Sequence, residues 1–174
     1  MSFKYILGVA IILGLVACES KEAQEPQEYT GPLREVEDME MYHVDNEHIK
    51  VIMHAKIVHE LANGDRNFPE GIDIKFFDED GELETTLRAN TAYFFKEKNL
   101  WQGQGNVEIV NIKADEQLNT EELFWNQVTK KINTEKFVTL RTQGTIIYGE
   151  GLTANQDLSD YEIPKVSGTL ELEE

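Results

Sequence analysis

Four histidines, one acidic turn and a pair of glycines are the first residues to weigh for chemistry. His43, His48, His54 and His59 stand 5, 6 and 5 residues apart. On a strand, odd spacings put neighbours on opposite faces, so this set makes a poor metal cage. Asp78-Glu79-Asp80-Gly81 has the opening of a calcium loop but lacks the third acidic position and the closing bidentate glutamate. It reads instead as a solvated hairpin turn. Gly103-x-Gly105 has no helix opening behind it and is no nucleotide fingerprint. No serine (Ser2, Ser20, Ser159, Ser167) lies in a nucleophile elbow. Acidic pairs are plentiful, yet nothing singles one out as a glycosidase dyad. Trp101 and Trp125 could stack on sugars, but they fit a core or groove lining better. The residues thus point to no catalyst, no cofactor and no metal.

The one residue with distinctive chemistry is Cys18, the only cysteine of the chain. It follows an apolar run over residues 5–17, preceded by Lys4. Thirteen residues are too few for a membrane span, which takes about 20, and suit the apolar part of a secretory signal. Leu15-Val16-Ala17-Cys18 resembles the lipobox of bacterial lipoproteins. That resemblance implies a thioether-linked diacylglycerol on Cys18, cleavage before it and acylation of the new amino terminus. An ordinary signal peptide with a chance cysteine is the alternative. Residues 1–17 are therefore expected to be a lipoprotein signal peptide. Residues 18–32 are polar, charged and poor in large apolar side chains, and read as a flexible tether. A folded domain should occupy residues 33–174.

Composition narrows the partners. The chain has 174 residues, 40% hydrophobic and 28% charged, as a globular protein does. Lys and Arg number 16 against 33 Asp and Glu, for a net charge of −17. Such a chain repels nucleic acid and does not bind anionic membrane through a basic face.

Period-two patterning dominates from about residue 48. Ile49, Val51, Met53, Ala55 and Ile57 alternate with polar residues, broken by Ile52. So do Ile72, Ile74 and Phe76, then Val107 and Ile109, Val138 and Leu140, and Leu170 and Leu172. Each reads as a strand with one buried face. Asn63-Gly64-Asp65, Asp80-Gly81 and Gln143-Gly144 supply turns. Residues 33–42 read either way: Leu33, Val36 and Met39 have helical spacing, while Met39 and Met41 alternate. Residues 119–130 offer a competing helix, with Asn119 and Glu122 at capping-box spacing, but their surroundings favour strand and turn.

A coarser repeat overlies the strands. The string apolar-x-small-x-x-apolar occurs as Met53-x-Ala55-x-x-Val58, Leu87-x-Ala89-x-x-Ala92 and Leu118-x-Thr120-x-x-Leu123. A fourth copy is expected at Leu152-x-Ala154, slipping one place to Leu158. A second strand follows each, centred on Ile74, Val107, Val138 and Leu170, which are 33, 31 and 32 residues apart. Stacked pairs of half-buried strands give an elongated, all-β solenoid or roll.

The ordered set Gly103-x-Gly105-x-Val107-x-Ile109, Leu118-x-Thr120-x-x-Leu123-x-Trp125, Thr134-x-x-x-Val138, Gly149-x-Gly151-Leu152-x-Ala154, Leu158, Tyr161-x-Ile163 and Gly168 resembles the LptC family, over roughly residues 48–172. The resemblance implies an antiparallel β-jelly-roll or β-taco, OstA/LptA-like, with two sheets folded into a V around an apolar inside. It implies a periplasmic bridge component that takes lipopolysaccharide from the inner-membrane transporter LptF/LptG/LptB and passes it to LptA. Many members keep an uncleaved membrane helix where this chain has a lipobox, which leaves the anchoring membrane open, the inner one being favoured.

On that reading Ile72, Ile74, Phe76, Val107, Ile109, Val138 and Leu140 are the expected lining of a lipid groove. Alternating strands more often pack into a closed core, and the residues alone favour that. The last strand, with Val166, Leu170 and Leu172, is the expected edge toward LptA, and the strands near residues 48–58 the edge toward the transporter. The other function class is a periplasmic or surface β-lipoprotein that binds protein or glycan without carrying lipid.

Overall fold

The computed structural model describes residues 29 and 31–171, and the account that follows concerns these. Cys18, the expected signal peptide, most of the expected tether and Leu172 lie outside the described residues. From residue 31 on, the chain belongs to one unit, Gly31–Glu174.

Eleven strands and no helix make up the described residues: β1 Arg34–Asp45, β2 His48–Glu60, β3 Arg66–Phe68, β4 Ile72–Phe77, β5 Leu83–Ala89, β6 Thr91–Phe95, β7 Leu100–Asn111, β8 Glu116–Asn126, β9 Lys131–Thr142, β10 Thr145–Asn155 and β11 Lys165–Glu171. All pairings are antiparallel. The segment with mixed periodicity is strand from Arg34 on: β1 pairs with β2 along its whole length. Residues 119–130 form the second half of β8 and the turn after it, not a helix. The expected turns fall between β2 and β3, β4 and β5, and β9 and β10, with Gly64, Gly81 and Gly144 at positive φ.

The pairing pattern explains the strand lengths. One half of β2 pairs with β4 and its end with β3; β7 pairs with β6 through one half and β5 through the other. β3 and β4 are therefore one strand interrupted at Pro69-Glu70-Gly71, and β5 and β6 one strand interrupted at Asn90. From β1 to β10 each strand or strand pair runs along one leaf, crosses a crease and continues in the other, whereas β11 pairs only with the first-leaf part of β10, Thr145–Glu150. The result is a meander of bent strands forming two antiparallel leaves. The first leaf holds β4, β5 and the Val107–Asn111 half of β7; the second holds β3, β6 and the Leu100–Gln104 half.

The crease is built from bulges. Registers slip between Gln104 and Val107, Thr120 and Phe124, and Glu150 and Leu152. A bulge adds a residue to one strand, bends it and raises its local twist. Gly71, at φ 87°, shows what the bend demands: an added Cβ would meet the Ala89 carbonyl oxygen at 2.5 Å.

The bent strands also explain the sequence repeat. In Met53-x-Ala55-x-x-Val58, Leu87-x-Ala89-x-x-Ala92 and Leu118-x-Thr120-x-x-Leu123 the small residue stands at the crease and the two spacer residues turn it. All nine of these side chains are buried. The fourth copy is not Leu152-x-Ala154. Thr120 pairs with Val138 and Val138 with Gly149, so the equivalent string is Ile147-x-Gly149-x-x-Leu152. Glycine is the small residue there because a Cβ would lie 2.4 Å from Ile163 Cγ2 and 2.8 Å from the Lys165 carbonyl oxygen.

Candidate functional site: an apolar interior running from edge to edge

Cross-strand partners arrange the inward side chains in continuous rows. On the first leaf one row reads Met41, Met53, Ile74, Leu87, Ile109, Leu118, Leu140, Ile147, Thr169, spanning every strand of that leaf from β1 to β11. Nearer the crease, Val107, Thr120, Val138, Gly149 and Val166 form a second row. Opposite them, on the second leaf, Phe94, Trp101, Trp125, Ile132 and Ala154 form a third.

The seven residues expected to line a groove all stand on the inner face of the first leaf. All are buried: Ile72 7%, Ile74 0%, Phe76 6%, Val107 1%, Ile109 1%, Val138 0% and Leu140 0% exposed. The second leaf supplies a facing wall that alternation alone did not assign. It comprises Phe68, Leu123, Ile132 and Leu152 with the two tryptophans. Phe68-x-x-x-Ile72, Gly103-x-x-x-Val107 and Thr134-x-x-x-Val138 carry the signal, because a four-residue step is even and keeps both residues on the inner side across the crease.

Aromatic rings consolidate the second wall. Trp101 packs on Phe68 with centroids 5.3 Å apart, on Phe94 at 4.7 Å and on Trp125 at 6.0 Å. Between the leaves there is a void of about 10 Å³, lined by Ile72, Ile74, Leu87, Trp101, Leu123 and Trp125 among others. Room for about one water leaves the interior packed along its middle.

The rim of the first leaf, farthest from the crease, turns polar. Phe76 is followed across the strands by Thr85, Asn111 and Glu116. The Thr85 hydroxyl is buried and has no hydrogen-bond partner. Asn111 donates through Nδ2 to the Asp157 carbonyl at 2.8 Å. Burial, and then the nearby Asp157 carboxylate, raise the Glu116 pKa above its ordinary value.

The rows end differently from how they run. At β1, Met39 and Met41 are half-buried against the core. At β11, Thr169 is exposed and Val166 is 57% exposed, so the inner rows reach open surface there. The expectation that Leu170 lies on a buried face does not hold. Leu170 pairs with Ile146 and is 51% exposed, whereas Val166 pairs with the inward Gly149. The bulge between Tyr148 and Gly149 shifts the β10–β11 register, putting Val166 and Leu170 on opposite faces.

The outer surface is charged and paired. Lys56 Nζ lies 2.5 Å from Glu70 and Arg88 Nε 2.6 Å from Asp73, beside a cleft of about 510 Å³ at the crease. The Asp78 turn is closed by its own carboxylate. Oδ1 accepts from the Asp80 and Glu82 amides at 2.9 Å, and Oδ2 accepts from Lys113 Nζ. His59 Nε2 lies 2.7 Å from the Glu35 carboxylate.

Among the described residues no helix is long and apolar enough to cross a membrane. A search of curated proteins returned no match. A family model described as "Lipopolysaccharide-assembly, LptC-related" matches residues 5–171, nearly the whole chain. A folded V of antiparallel strands around an apolar interior is the architecture that the sequence resemblance implies, and with the family match it leads to one conclusion: this chain belongs to the LptC-related family of lipopolysaccharide-assembly proteins.

Proposed function

We propose that this chain is a non-enzymatic carrier, moored by acyl groups on Cys18, that takes lipopolysaccharide from the inner-membrane LptF/LptG/LptB transporter and passes it to LptA. The observation that carries this reading is the inner row from Met41 to Thr169, which runs across the whole first leaf, from the β1 edge to the β11 edge. At −17 the chain cannot hold an anionic lipid mainly through net charge. Apolar burial, at about 25 cal/mol per Å² removed from water, supplies the attraction instead. The inner face offers that surface from Met41, at the β1 edge, to Val166, at the β11 edge.

Among the described residues β1 pairs only with β2, and β11 only with β10. Unpaired edge strands accept a further strand from another chain. We assign the β1–β2 end to the transporter and the β11 end to LptA. Head-to-tail joining of this kind extends the interior from domain to domain and does not close into a symmetric dimer.

The packed middle of the interior, with its void of about 10 Å³, favours one competing reading: a periplasmic or surface β-lipoprotein that binds protein or glycan and carries no lipid. A photo-crosslinker at Val107 or Val138 in the full chain separates the two. Adducts with lipopolysaccharide support the carrier; adducts with protein alone sink it. Removal of residues 166–174 should abolish capture of LptA, and undiminished capture would overturn the assignment of that edge.

A further inference from the structure

Between β10 and β11 the chain does something the repeat does not require. Residues 156–160 leave the end of β10 and cross the mouth of the V. Gln156 N donates to the Lys130 carbonyl at 2.9 Å, and Trp125 Nε1 on the second leaf donates to Gln156 Oε1 at 3.1 Å. From the first leaf, Asn111 Nδ2 donates to the Asp157 carbonyl at 2.8 Å. Leu158 then turns inward and is fully buried with the core.

Leu158 achieves this at φ 65°, a left-handed backbone conformation that branched, bulky side chains avoid. Strain of this kind persists only where the surroundings impose it, and it collects at clamps and switches. The segment is also self-contained. Asn155 N bonds the Ser159 carbonyl at 3.0 Å, Asn155 Nδ2 bonds Ser159 Oγ at 2.8 Å, and Ser159 N bonds Asp157 Oδ1 at 3.0 Å. Beneath it, Thr153 and Glu162 exchange both backbone hydrogen bonds, at 3.0 and 2.8 Å, and pin the two ends of the excursion together.

We propose that residues 156–160 are a strap whose Leu158 plugs the mouth of the V while no cargo is held, and which an incoming acyl chain displaces. This rests on the carrier reading above. The isobutyl group of Leu158 stands in for a segment of fatty acyl chain. When the strap lifts, Asn111 Nδ2 loses its acceptor, while Oδ1 keeps the Ala114 amide at 2.9 Å; beside it stands Thr85, its cross-strand neighbour, whose buried hydroxyl already lacks a partner. Two polar groups at the rim of an apolar trough suit the amide- and hydroxyl-bearing head of an acylated glycolipid.

The test is hydrogen exchange on the full lipidated chain, with and without purified lipopolysaccharide, alongside crosslinking from Val107. The expected result is that the Gln156 amide, which bonds the Lys130 carbonyl, exchanges at least ~10-fold faster with cargo while amides of β7 and β8 keep their protection. Leu158→Gly suits the backbone and removes the plug, and should load lipopolysaccharide about 10-fold faster than wild type; Asn111→Ala, a milder release, should act in the same direction. Cargo captured at Val107 with unchanged strap amides and unchanged loading in both variants would overturn the strap and leave the carrier standing. No capture in any variant would overturn the carrier, and the strap's role with it.

Discussion

Phe76 and Trp125 meet edge to face across the mouth of the V, their ring centroids 5.4 Å apart at an interplanar angle of 86°. One ring comes from β4 in the first leaf and the other from β8 in the second, so the contact ties together halves that share no hydrogen-bonded pairing at that level. Edge-to-face geometry sets the positive rim of one ring against the negative face of the other.

Trp125→Ala should therefore cost about 3–5 kcal/mol, the usual penalty for emptying a large aromatic site in a core. Phe137→Ala, at a ring that is 56% exposed, should cost less than about 1 kcal/mol. Urea unfolding followed by far-UV circular dichroism measures both; equal costs would mean that the two leaves do not depend on their contact.

Gly71→Ala should lose roughly 2–4 kcal/mol, because a left-handed conformation is combined with an overpacked contact. Gly81→Ala separates these causes. Its φ is 80°, yet an added Cβ meets nothing within 4 Å, so only the conformational cost of about 1–2 kcal/mol applies. Thermal melts of the two variants should rank them in that order.

Stability should fall on acidification. The Lys113 ammonium, followed by the Glu82 amide, holds the Asp78 carboxyl below its ordinary value. At Asp65 burial pushes upward, but the Lys96 amide, Asn63 and Tyr93 together pull the pKa down. Carboxyls lowered on folding bind protons more readily in the unfolded chain. Their contribution is fully present above the ordinary carboxylate range and is lost as pH falls through it to the lowered folded values. Urea midpoints measured from pH 7 to 3 should decline, and Asp78→Asn should flatten the decline.

Glu116 has the opposite sign. Its raised pKa means that the folded state disfavours its charge at neutral pH, and that this handicap vanishes as pH falls below the unfolded value. Glu116→Gln should raise the melting temperature by roughly 1–3 °C at pH 7 and have no such effect near pH 3.

Much of the interior was legible before any coordinates. Alternation picked out Ile72, Ile74, Phe76, Val107, Ile109, Val138 and Leu140, because on a half-buried strand side-chain direction follows residue parity. The string with a small central residue marked the crease in three strands. It failed at the fourth, where Gly149 takes the small position and hydrophobicity offers no signal. Parity also failed at Leu170, since the shifted β10–β11 register depends on how β11 returns over Gly149, past Ile163 and Lys165.

The amino-acid order by itself determined most of the strands, their turns, three of the four repeat strings and the family resemblance, because these depend on local alternation and on residues few positions apart. Tertiary structure alone decided where each strand bends between the two leaves, that Trp101 and Trp125 stand on the second wall, and that Leu158 closes the mouth. Those outcomes depend on bulges that reset parity and on contacts such as Asn111 with Asp157, 46 residues apart in the chain. Such a contact forms only after the intervening strands have stacked, so no local pattern encodes it.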